Sequence, residues 1–95
     1  YPVEVENALR QHPSIKEAVV VGLDDAEWGQ KVSAAIQLEN GETLTPDEII
    51  AFARDHLAGF KIPREFRFVT DFPQTGSGKI QRPAVKALFD DNADG

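Results

Sequence analysis

The chain has no cysteine, so neither a disulfide framework nor a thiolate metal site can hold it together. No run approaches the roughly 18 apolar residues that a membrane-spanning helix needs, and no signal-peptide pattern opens it. A cytoplasmic protein is the expectation. Positive charge is also scarce, with 10 Lys and Arg against 16 Asp and Glu and a net charge of −6. General nucleic-acid binding needs a concentrated basic footprint, so that class is set aside. Neither an internal repeat nor a low-complexity linker interrupts the 95 residues. One small domain is expected, at a size where burial is adequate but not generous.

The charge is unevenly spread. Residues 1–53 carry three basic and ten acidic side chains, whereas residues 54–89 carry seven basic and three acidic. The last six residues, from Asp90, add three more acids. A positive second half suits a polyphosphate ligand.

Punctuation and periodicity give the order of elements. Pro2 suits a first helical turn, and Val5, Ala8 and Leu9 share a stripe before His12-Pro13 ends the helix. The β-branched run within Ile15 to Leu23 predicts a buried strand. Asp24 to Glu27 reads as a polar turn. Val32, Ala34, Ile36 and Leu38 alternate as one face of a second strand. After a turn at Asn40-Gly41, Thr45-Pro46-Asp47-Glu48 opens a helix with a capping box and proline at its first position. Gly59 is the expected C-terminal cap of that helix. Phe66 to Val69 predicts a third strand, and Pro83 to Phe89 a final helix with Val85, Leu88 and Phe89 inward. The fold class is α+β: a small three-stranded sheet packed by helices. The connection from the second to the third strand is long enough for a parallel crossover. Residues 1–89 form the domain, and 90–95 a disordered tail.

The segment between the third strand and the last helix carries the chemistry. In Pro73-Gln74-Thr75-Gly76-Ser77-Gly78-Lys79-Ile80-Gln81-Arg82, two glycines flank a serine and precede one lysine. Glycine admits backbone conformations closed to other residues and close approach to a ligand. The Thr75 and Ser77 hydroxyls can bond loop backbone or phosphate oxygens. Ile80 offers an apolar anchor on the exit. A phosphate-cradling P-loop would need glycine where Pro73 stands and Ser or Thr where Ile80 stands, so that motif fails at both ends. By composition alone a solvated glycine turn with an incidental lysine fits as well.

Five segments, in order, resemble the C-terminal domain of the adenylate-forming superfamily. Pro73, Thr75, Ser77, Gly78, Lys79, Ile80 and Arg82 match the signature P-x-T-x-S-G-K-[IV]-x-R of acyl- and aryl-CoA synthetases. Tyr1 to Glu6 is similar to the end of that family's I-x-P-x-E-[VI]-E segment. His12 to Gly22 resembles its H-P-x-V-x-E-A-A-V-V-G stretch. Trp28-Gly29-Gln30-Lys31-Val32 and Phe60-Lys61-Ile62-Pro63-Arg64 are similar to its G-[EQ]-x-V and Y-K-[VI]-P-R landmarks. The resemblance runs over residues 1 to 89 and is greatest to fatty-acyl-CoA ligases.

What the resemblance implies is a mobile C-terminal domain cut just downstream of its hinge. The large N-terminal domain that would hold the acyl pocket, ATP and Mg2+ is absent from this sequence. Lys79 is the implied catalytic residue, an ammonium that stabilises charge while a carboxylic acid attacks the α-phosphate of ATP. Thr75, Ser77, Gly78 and Arg82 fall on the nucleotide side of the implied site; Trp28, Gly29, Lys61 and Arg64 fall on the side of CoA. No residue is implied as a metal ligand, and the two histidines read as capping or surface residues. Alone, the chain is expected to be inactive. The enzyme alternative is a subdomain of a nonribosomal peptide synthetase adenylation domain. The alternative from another class is a noncatalytic interaction module that keeps the fold.

Overall fold

Proline at the first helical position loses no hydrogen bond, because the N–H it lacks would have no intrahelical partner. Helix α1 (Pro2–Arg10) begins there and buries Val5, Ala8 and Leu9 along one stripe, as their spacing predicts. The computed structural model describes residues 2–27, 29–72 and 78–90, without the side chain of Asp90.

Strands β1 (Ile15–Asp25) and β2 (Gly29–Leu38) pair antiparallel. Both outrun their apolar stretches, since the ladder continues through Leu23↔Lys31, Asp24↔Gln30 and Asp25↔Gly29. Backbone pairing does not need apolar side chains, which is why the expected boundaries fell short. Gly29 and Gly41, at either end of β2, hold φ near 80°, where other L-residues are strained.

Helix α2 (Pro46–Arg54) has the predicted capping box. The Thr45 hydroxyl accepts from the Glu48 N–H at 3.1 Å, and the Glu48 carboxylate accepts from the Thr45 N–H at 2.8 Å. The helix stops sooner than expected. Asp55 is its C-cap, and Gly59 opens a 3-10 turn (Gly59–Lys61) instead of capping the helix. His56 therefore lies beyond α2, while Leu57 still reaches the core through an N–H bond to the Ala53 carbonyl.

Strand β3 (Glu65–Phe68) pairs parallel with β2, giving the order β1-β2-β3 and making α2 part of the anticipated crossover. Helix α3 (Arg82–Asp90) gains one residue at each end and takes Asp90 out of the expected tail. The remaining tail, 91–95, lies outside the described residues.

Because side chains alternate along a strand, the sheet has two apolar faces. Val20, Ala34 and Ile36 face α1 and α2, meeting Leu9, Ile49 and Ala53. Val19, Val21 and Ala35 face the other way and meet Phe72, Val85 and Phe89. The sheet is thus sandwiched between α1 with α2 on one side and α3 on the other. Among the described residues no helix is long and apolar enough to cross a membrane.

Candidate functional site

Both flanks of the lysine-bearing segment rest on the α3 face. Phe72 is buried there, and Ile80 packs against the same apolar cluster. Ile80 thereby serves as the apolar anchor its position suggested. Gly78 has φ near 82°, and a Cβ placed on it would meet nothing within 4 Å. The demand for glycine is therefore conformational, not steric crowding. Lys79 follows directly and is exposed. Among the described residues, no hydrogen bond or ion pair ties its ammonium down. Pro73, Thr75, Gly76 and Ser77 lie outside the described residues.

Arg82, the first residue of α3, is held by an acid of this same chain. Its Nη2 donates to Glu6 Oε1 at 2.7 Å and Oε2 at 2.8 Å. The Glu6 side chain is only 4% exposed. A buried carboxylate needs compensation, and here it also accepts the Val20 N–H at 2.8 Å and sits 3.8 Å from Arg10 Nη2. Val20 belongs to β1, an edge of the sheet, and its neighbour Ala18 offers its carbonyl to Arg10. Side chains of α1 thus cover polar groups that an open edge would leave exposed.

Gly29, Lys61 and Arg64, expected on the CoA side, lie on other parts of the fold than the Lys79 turn. Lys61 Nζ pairs with Glu4 Oε1 at 2.8 Å and lies 5.6 Å from the centroid of the Phe60 ring. Phe60 is 72% exposed, which makes it the most prominent apolar side chain of this corner. The Arg64 N–H bonds the Val32 carbonyl and ties the end of the crossover to β2. Gly29 opens β2 at an exposed turn, and Trp28 lies outside the described residues. Glu4 and Glu6 stand two residues apart, or about 200° around a helix. The Lys61 and Arg82 contacts therefore leave from nearly opposite sides of α1.

The ion pairs were not evident from the sequence, Arg82–Glu6 and Lys31–Glu65 among them. No local signal marks Glu6 as a partner, and only the topology brings Arg82 to it. Lys31 Nζ meets Glu65 Oε1 at 2.7 Å across the parallel β2–β3 pair. The hydrogen bond from Lys31 to Glu65, followed by the charge of Glu65, raises the Lys31 pKa above its ordinary 10.5. The histidines have packing roles: His12 meets Phe52 edge-on, His56 stacks on it, and His12 Nδ1 accepts the Ser14 N–H. Among the described residues no group of three or more His, Asp or Glu could hold a metal ion.

Known proteins carry the same pattern. The family described as AMP-binding enzyme C-terminal domain matches residues 4–79. An oxalate–CoA ligase of Saccharomyces cerevisiae is 44% identical over 88 residues, which are 93% of this chain and 16% of that protein. Among solved structures, an acyl-CoA synthetase of Brucella canis is 34% identical with a TM-score of 0.87, over 97% of this chain and 18% of its own. An amide bond synthetase of Marinactinospora thermotolerans is 36% identical with a TM-score of 0.89, over 94% of this chain and 18% of its own. The chain spans under a fifth of each of these relatives. With a family match over most of its length, a shared fold and the glycine–lysine turn in place, the chain belongs to the AMP-binding enzyme C-terminal domain family.

Proposed function

We propose that this chain is the lysine-bearing C-terminal domain of an ATP-dependent acyl-CoA synthetase, inactive without the larger part of the enzyme. In the first half-reaction a substrate carboxylate oxygen bonds to the α-phosphorus of ATP as the bond to pyrophosphate breaks. Two anions must approach while charge spreads over the phosphoryl oxygens. A preorganised cation offsets that repulsion and stabilises the charge as it shifts. Lys79 fits this role as an electrostatic stabiliser, not as a base. In the second half-reaction the CoA sulfur attacks the acyl carbon and AMP departs, a step that does not need this ammonium.

The observation that carries the reading is the state of Lys79: exposed and untied among the described residues, yet next to a backbone pinned by Ile80. Lys16 and Lys86 are exposed as well, so it is the anchored backbone beside Lys79 that sets it apart. Magnesium would accompany ATP on the large domain. CoA as acceptor is favoured by the more similar ligase relative; the amide bond synthetase marks the point at which a different acceptor would enter.

The test is Lys79→Ala in the full-length enzyme. Acyl-adenylate formation should fall by about 10²–10³, the usual loss on removing one preorganised donor. Thioester formation from supplied acyl-adenylate should be retained. Equal loss of both half-reactions, or retention of the first, would refute the assignment.

A further inference from the structure

We infer that Glu6 is a positioning residue for Lys79, acting through Arg82 around the edge of the sheet. This rests on the proposed role of Lys79. The proposed chemistry makes no use of a buried carboxylate on α1, yet Glu6 is 4% exposed and gathers donors from three elements. Arg10 comes from α1 itself, the Val20 N–H from β1, and Arg82 from α3. Helix α1 packs on one face of the sheet and α3 on the other, so Glu6 and Arg82 meet around the β1 edge that separates them. The pair clamps together two layers that the sheet keeps apart.

The place of the clamp in the chain is what gives it a functional consequence. Arg82 follows Lys79 by three residues, with Ile80 between them packed on the α3-face cluster. The backbone leaving Lys79 is therefore fixed twice, once by apolar contact at Ile80 and once by charge at Arg82. Both Glu6 oxygens take up the same Arg82 nitrogen, at 2.7 and 2.8 Å, which sets the start of α3 relative to β1. Without the Glu6 charge the start of α3 keeps only its apolar anchor, and Lys79 samples a wider range of positions. Catalysis of phosphoryl transfer depends on such placement, and misplacement by about 1 Å can cost on the order of 10²-fold.

The experiment uses the full-length enzyme and the substitution Glu6→Gln, which keeps an oxygen for the Val20 N–H but removes the charge that holds Arg82. The expected result is a fall of about 10- to 100-fold in kcat for adenylation. KM for ATP and thioester formation from supplied acyl-adenylate should stay unchanged. In a Lys79→Ala background, Glu6→Gln should add no further loss, because no ammonium remains to be placed. Unchanged adenylation, parallel loss of both half-reactions, a change confined to the KM for ATP, or a further loss in the Lys79→Ala background would each overturn the inference. A change confined to that KM would instead make Arg82 a direct phosphate ligand. Should Glu6→Gln fail to fold, Glu6→Asp, which keeps the charge but draws it back from Arg82, takes its place under the same criteria. Normal adenylation by Lys79→Ala would sink the proposed function; an inert Lys79→Ala with a normal Glu6→Gln would sink only the positioning role.

Discussion

The face of the sheet that packs α1 and α2 buries eleven apolar side chains, whereas the face that packs α3 buries seven, counted among the described residues. Seven of the eleven are wholly inaccessible, against two of the seven. The thinner face is the one that carries Gly78, Lys79 and Ile80. Apolar burial scales with area, so α3 should be held less firmly by packing than α1 or α2. The Glu6–Arg82 clamp supplements that packing at the end of α3 nearest the lysine. Functional segments are commonly drawn from the less stable parts of a fold, and here the reason can be named side chain by side chain.

Removing Lys79 is the largest expected change, but it reports on chemistry and leaves the two faces as they are. Core truncation tests them directly. Ile49→Ala, on the richer face, should cost about 2–5 kcal/mol in denaturant unfolding. Val85→Ala, on the α3 face, removes two carbons and should cost about 1.6 kcal/mol before any cavity term. It should also weaken hydrogen-exchange protection in α3 more than in α1. A larger cost at Val85, or protection lost evenly through both helices, would break the contrast. Thr45→Ala removes one half of the capping box and should cost about 1 kcal/mol, with the added exchange confined to the first turn of α2; loss in α3 would contradict separate faces.

The smallest effect concerns the β2–β3 joint that both faces share. Folding raises the Lys31 pKa, through the hydrogen bond to Glu65 and then its charge. The contribution of this pair is therefore full below about pH 10.5 and disappears as pH rises through the folded value. Unfolding free energy should slope downward across that alkaline window, and Glu65→Gln should flatten the slope. An unchanged slope in that variant would show that Lys31 is not the group responsible.

Local signals were legible where local chemistry decides structure. Thr45 to Glu48 satisfies helix N–H groups within four residues, so its capping box could be read directly. The alternation from Val32 to Leu38 gave β2 its correct inward face, and the length of chain to the third strand allowed the parallel return. Gly59 misled because glycine after an apolar helix usually marks a cap, whereas here the backbone turns into a 3-10 segment without positive φ. Glu6 was illegible for another reason. Its partner lies 76 residues away, and the contact exists only because two helices on opposite faces meet at one edge. In the candidate site, the backbone demand at Gly78 was readable from the loop, but the support behind it was a property of the assembled layers.

The anchoring of Ile80 has a consequence for reach. One Cα–Cα step of about 3.8 Å separates Lys79 from a residue fixed on the core. So short a leash leaves the backbone of Lys79 little travel, and the ammonium ranges only as far as its own flexible stem reaches. Under the function proposed above, delivery of the ammonium to a distant phosphate, and its withdrawal, would come from rotation of the whole body as a unit, with the lysine riding on it like a key on a turning wrist.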